Sequence, residues 1–444
     1  MPTVLDSSVR PEDRFISAFE VNKGETLNGT NATISRQRET AIDRFAELGI
    51  PTNRLEAWKY TNIAKVLDRP YALHLGSDTP ALSHEDIAPF FVDGLDAHRI
   101  VLVNGRFEDA LSDVGELPKD VVVSGLSAAG QSHPDLVESH YGAQAEVDDE
   151  ALTALNTAFV QDGYFVYVPS GTVVEKPIFV LQVNTADEDL FVQPRNLVVV
   201  EDGAMARIIE SQQTLGTMRT FTNGVSEMSV GTKGNLEHYV VQHEGDHASR
   251  VQSLYAHHKA DSVFSTHTTT LSGDVVRNNL VITPDGAHCE SNLFGLFLGK
   301  SDMHVDNNTL VDHVEPDCLS NELYKGVLGG SSTGVFNGKV FVHRDAQRIN
   351  AYQSNKSIVL TNEAQIYSKP ELEIYADDVQ CSHGATSGQL DEEGLFYLRS
   401  RGLSEERARI LMLRGFARDV IDEVKIDALH AHLDDLVGQR FEDY

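Results

Sequence analysis

Two side chains able to hold a metal stand two residues apart near the C-terminal end. They are Cys381 and His383, in the run "YADDVQCSHGATSGQLDEEGLFYLRSRG" from Tyr375 to Gly402. If "DVQCSH" is extended, residues two apart share one face of a strand, with Cα atoms roughly 6.5–7 Å apart. A thiolate and an imidazole so placed can both reach a soft or borderline metal. A blander reading stands beside this one. Val379 shares their parity, and a face turned into a core would make Cys381 inert packing. Two ligands do not complete a four-coordinate site. The pair suffices only if a second subunit brings the rest.

The other motifs are weaker. "HEGDH", His243 to His247, matches the H-E-x-x-H pattern of zinc proteases, in which a helix puts both histidines on one face. Here Gly245 interrupts it and the flanks "LEHYVVQ" and "SRVQSLYA" read as strands, on which the two imidazoles do not converge. "GLFLGKS", Gly295 to Ser301, is one residue short of a phosphate-binding loop, and Leu296, Phe297 and Leu298 suit a buried strand running into a turn. Serines and the 18 histidines are too many for a Ser-His pairing to carry weight.

Composition narrows the setting. The 444 residues are 41% hydrophobic, and no run approaches the roughly 18 apolar residues of a membrane span. The opening "MPTVLDSSVRPEDRFISAFE" lacks a basic stretch followed by an apolar one, so the expectation is a cytoplasmic chain. Cys289, Cys318 and Cys381 are the only cysteines, which excludes a disulfide framework and a zinc ribbon. With 67 acids against 36 bases the net charge is −31. That field repels nucleic acid and anionic membrane. The acids are dispersed, as on the surface of a protein adapted to high salt.

These residues sit in a chain of three zones. Residues 1–155 mix helical and short strand signals. "SRQRETAIDRFAELGIP" offers Ser35 as an N-cap, with Ile42, Phe45 and Leu48 at helical spacing and Gly49 and Pro51 as the stop. "HRIVLVNGRF" predicts a strand pair turning at Asn104-Gly105. Residues 156–386 are short alternating runs rich in Val, Ile, Thr, Phe and Tyr, with almost no helical period. A corner followed by a strand recurs in "EDGAMARI", "PDGAHCES", "RDAQRINA", "NEAQIYSK" and "ADDVQCSH", at irregular spacing. So many strands without helices between them leave a large sandwich or a parallel β-helix, and the recurring corner favours the β-helix. Residues 387–444 turn helical. Ile410, Leu413, Ala417, Val420 and Val424 repeat at three and four, after Ser404 as N-cap.

The stretch "KPELEIYADDVQCSHGATSGQLDEEGLFYLRSRGLSEERAR" resembles the signature of the SufB/SufD family of iron–sulfur cluster assembly proteins. "HVDNNTLVDHVEPDCLSNELYKGVL" and "GVFNGKVFVHRDAQRINAYQSNKSIVL" are similar to its core, in the expected order, and the likeness covers roughly residues 160–425. "RLEAWKYTNIAKVL", Arg54 to Leu67, resembles the N-terminal signature of the SufD branch. Ser387 and Gly394 depart from the larger residues the family often has there.

The resemblance implies a mainly β chain: a right-handed parallel β-helix with an N-terminal α/β region and a C-terminal helical domain. It implies a non-catalytic scaffold with no tightly bound cofactor of its own. The scaffold would pair with a SufB-like paralogue and a SufC-like ABC ATPase, and a homodimer is the assembly left open to the chain when it is alone. His383 would be a ligand to a nascent iron–sulfur cluster at the junction, with Cys381 beside it. The ATPase would dock on the helical tail, where Leu413, Phe416 and Val420 are the expected contacts. A β-helix enzyme acting on polysaccharide is the competing reading.

Overall fold

The short alternating runs form the coils of a parallel β-solenoid in the computed structural model, which describes residues 3–4, 9–26, 32–73, 75 and 80–444. The chain passes back and forth between two sheets. Met205–Thr214 lies in one, Thr220–Val230 in the other, and Asn235–His243 returns to the first. Register partners fall about 30 residues apart, as Met205 with Asn235, Asn235 with Val263 and Ile349 with Val379 show. One corner of the coil needs a left-handed residue each time. Gly203, Lys233, Asp261, His288, Asp317 and Arg348 fill it in turn, with φ between +58° and +65°. Only the glycine takes that conformation without steric cost.

Alternation along each strand sends one set of side chains inward and the other outward. Ile178, Val180, Ile208, Leu236, Phe264, Leu293 and Tyr324 build the interior between the sheets. Over the earlier coils both outer faces also carry apolar side chains and are covered by helices, as parallel sheets require, while the last coils are left exposed. Over one sheet, Pro11–Thr26, Ala32–Leu48 and Ala151–Phe159 pack Phe15, Phe45 and Phe159 against Phe191 and Phe221. Over the other, Glu405–Ile421 and Asp427–Glu442 pack Leu413, Val420, Leu429 and Val437 against Phe179, Tyr239, Leu296 and Val327.

The segment Arg54–Leu67 straps the N-terminal region to the solenoid. Trp58 is buried under the Arg277 guanidinium, 3.8 Å from its ring centre, and Arg277 pairs with Asp306. Tyr60 stacks on Tyr367 at 4.3 Å, and Lys369 reaches Glu56 at 2.8 Å.

The expected hairpin is present: His98–Val103 and Arg106–Phe107 pair antiparallel, with Asn104 and Gly105 at φ +51° and +78°. His98–Val103 also pairs in parallel with Ile178–Asn184, so the N-terminal region contributes a strand to the stack. Ser35 is not an N-cap, because the helix already runs from Ala32 and places Ser35 inside it. Ile34 packs against Leu126 and Val137, which holds the upstream turn in the helix.

Candidate functional site

The two sheets begin and end differently. At the start the hairpin at Asn104-Gly105 closes one sheet. At the finish, Gln365–Ile374 and Val379–Gly388 are ten-residue strands, each paired on one side only among the described residues. An open edge presents a row of unpaired N–H and C=O groups. Gln365–Ile374 is blunted by Pro370 and by the charges of Lys369, Glu371 and Glu373. Val379–Gly388 carries no proline and no Lys, Arg, Asp or Glu, so its backbone is free to accept another strand.

Cys381 and His383 lie on this second edge. Val379, Cys381 and His383 are in register with Ile349, Ala351 and Gln353, which are buried while the alternate residues Asn350 and Tyr352 are exposed. The pair therefore points to the inner side of the solenoid, at its last coil. Cys381 is half-buried beside Val379 and Leu372, and burial pushes its thiol above the ordinary cysteine range. His383 is exposed, because no coil follows to cover it. The sequence placed these two residues on one face; the fold adds that this face is the open mouth of the rod.

The other motifs resolve as packing. His243 ends one strand and His247 precedes the next, across the turn at Gly245-Asp246. Glu244 is buried and held by Arg250 at 2.7 and 3.1 Å, so its carboxylate serves an ion pair rather than a bound water. "GLFLGKS" is the end of the strand Glu290–Gly299 and its following turn. Cys289 and Cys318 stack on adjacent coils inside the core, each with its Sγ near the Gly286 carbonyl, at 3.1 and 3.2 Å. Among the described residues no three His, Cys, Asp or Glu side chains converge as a metal site.

The tail corrects one expectation. Leu413 and Val420 are 2% and 3% exposed, inside the chain's own core, and cannot meet a partner. Phe416 is half-buried on the same stripe, where the Lys325 ammonium lies 4.4 Å from its ring centre and bonds its carbonyl at 2.8 Å. The helix spends its apolar stripe on the outer sheet face. What remains outside are apolar side chains on the two tail helices: Phe396, 73% exposed, and Tyr397 on Glu392–Ser400, and Leu411, 52% exposed, on Glu405–Ile421. The helix Glu392–Ser400, capped by Asp391, buries none of its residues.

The SUF system FeS cluster assembly SufBD core domain matches residues 182–416, and the SufBD protein N-terminal region matches residues 9–180. The chain belongs to the SufBD family. An iron–sulfur cluster assembly SufBD family protein of Synechocystis is 30% identical over 426 residues, 93% of each chain. The iron–sulfur cluster assembly protein SufD of Escherichia coli is 27% identical, covering 91% of this chain and 93% of its own. SufD of Bacillus subtilis is 25% identical over 98% and 99%. As a SufBD protein the chain works in iron–sulfur cluster assembly, which sets aside the polysaccharide alternative. No helix among the described residues is long and apolar enough to cross a membrane.

Sequence reasoning missed three residues that bear on the site. Gln353 and Glu322 line the interior directly behind His383. Their only signal is a spacing of one coil, which needs the coil to be known first. Tyr60 reaches the terminal coil from the N-terminal strap, a contact that no local pattern around it records.

Proposed function

We propose that this chain is a SufD-type, non-catalytic scaffold subunit that acts in the cytoplasm and completes its site on a SufB-like paralogue. One observation carries the reading: an incomplete ligand set, His383 with Cys381, sits at the open mouth of a solenoid on an edge strand left free to pair. Strand addition along Val379–Gly388 would bring a partner's own last coil against this one, with both mouths facing each other. The ligands missing here would then come from the partner, and the nascent iron–sulfur cluster, as cargo, would be held between them.

A split site also suits transfer. A cluster held by two chains is released when they move apart, whereas a full set on one rigid coil would retain it. The force for that movement would come from a SufC-like ABC ATPase docked on Phe396, Tyr397 and Leu411. These residues lie on a tail that is itself anchored to the solenoid through Leu413 and Val420.

Co-expression of the three proteins tests the reading. The expected product is one complex that loses the paralogue when Ala385 and Ser387 are replaced by proline. Alternate residues of the strand turn their N–H groups away from Ile349–Val359, and each of these prolines removes one such donor from the open edge. A complex unaffected by both prolines would place the junction elsewhere. Without the paralogue, two copies of this chain pairing through the same edge should give a dimer by light scattering that the same prolines dissolve.

A further inference from the structure

The inner column that ends at His383 contains two polar side chains with no role in the reading above. Glu322, Gln353 and His383 occupy one register position on three successive strands. Their side chains point into the same interior, one coil apart, about 4.8 Å. Glu322 and Gln353 are 4% and 3% exposed. Gln353 donates through Nε2 to Glu322 Oε2 at 2.6 Å, and the other carboxyl oxygen accepts from the Thr309 hydroxyl. Gly338, on the opposite sheet, makes room for this. A Cβ there would come within 2.5 Å of Gln353 Nε2.

An amide has a donor end and an acceptor end. Once ionised, above about pH 7, the Glu322 carboxylate can take only the donor end, so it decides which way the Gln353 amide faces. Its Oε1 is left buried without a hydrogen-bond partner. Buried acceptors are ordinarily paired, and leaving one unmade is costly. The residue stacked next in the column is an imidazole, which has an N–H to give.

We propose that Gln353 is a positioning residue for His383: its Oε1 accepts one imidazole N–H and so leaves the other ring nitrogen, with its lone pair, facing out of the open mouth. The inference rests on His383 being a ligand. A ligating histidine ordinarily gives its second N–H to a fixed acceptor, which sets the tautomer and the ring orientation. Glu322 acts one step further back, by holding the amide against a flip.

The test is the tautomer of His383 in the full-length, nitrogen-15-labelled chain, assigned with His383→Ala. The expected spectrum of the neutral imidazole shows a single tautomer. Gln353→Met should convert it to the averaged pattern of an unconstrained ring, and Glu322→Gln, whose amide can meet either end of the Gln353 amide, should move it part of the way. In the assembled complex Gln353→Met should lower cluster occupancy about tenfold. An averaged pattern in the unsubstituted chain overturns the proposal by itself, even if Gln353→Met fails to fold. An unchanged single tautomer in Gln353→Met overturns it too. If His383→Ala leaves cluster formation intact, the ligand reading falls instead, whatever the spectrum shows.

Discussion

Leu411 and Leu413 lie two residues apart on one helix, and their replacement should have opposite consequences. Leu413 is 2% exposed and packs with Ala417, Val420 and Leu433 against Leu296, Leu298 and Val327 of the sheet. Leu413→Ala removes three buried carbons, about 2.4 kcal/mol at ~0.8 kcal/mol each. The cavity left behind brings the loss to about 3 kcal/mol. Because the stripe is what holds the tail to the solenoid, the loss should appear as local opening rather than global unfolding. Hydrogen exchange of the amides in Glu405–Ile421 should speed up about 100-fold, at ~1.4 kcal/mol per factor of ten. Leu411 is 52% exposed, so Leu411→Asp should cost only about 0.7 kcal/mol of helix propensity. It should abolish capture of the ATPase while exchange in the tail stays near that of the unsubstituted chain. Unchanged exchange in Leu413→Ala would refute the packing of this stripe on the sheet. Retained ATPase in Leu411→Asp would move the docking surface off this face.

Three further outcomes follow from other parts of the molecule. Burial pushes the Glu322 carboxyl up to about 7 from 4.5. Its contribution to stability is therefore full below about 4.5 and is lost as pH rises to about 7, a change of about 3 kcal/mol. Urea midpoints at pH 5 and pH 8 should differ more in the unsubstituted chain than in Glu322→Gln, and equal differences would contradict the burial argument. Trp58 is the chain's single tryptophan and lies buried under Arg277, so its emission should be blue-shifted. Arg277→Met should redden it and expose Arg54–Leu67 to protease, and no change in either would mean that the strap does not depend on this contact. Burial raises the Cys381 thiol, so alkylation there should be slower at pH 8 than for a free thiol and should climb at higher pH. Reaction at the rate of a free thiol would show the thiol to be open to solvent.

The solenoid was legible in the sequence because each coil repeats a corner and an alternating strand, but its period was not. The position that needs a left-handed conformation is filled by Gly203, Lys233, Asp261, His288, Asp317 and Arg348, which share a backbone angle and little chemistry. The corners visible in the sequence also belong alternately to two sides of the coil. Ala346 to Ala364, and Ala364 to Asp378, are therefore half-coils of unequal length, and the spacing looks irregular. Asn104-Gly105 was legible because a tight hairpin depends on its own two residues. Leu413, Phe416 and Val420 illustrate the opposite case. Helical periodicity reveals an apolar stripe, while what covers the stripe is decided by a sheet more than 80 residues away in the chain. Cys381 and His383 could be placed on one face by parity alone. That this face ends a rod, with Gln353 and Glu322 behind it, depends on contacts between coils that no local pattern records.

His383→Ala in the assembled complex bears most directly on the split site. The side chain is exposed, and its loss leaves one buried amide oxygen, that of Gln353, without its donor. The variant should therefore unfold within about 1–2 kcal/mol of the unsubstituted chain and still co-purify with both partners. Iron and sulfide bound to the complex, read by absorption and by metal analysis, should fall to background. An intact complex that still builds and keeps its cluster would mean that this imidazole holds nothing.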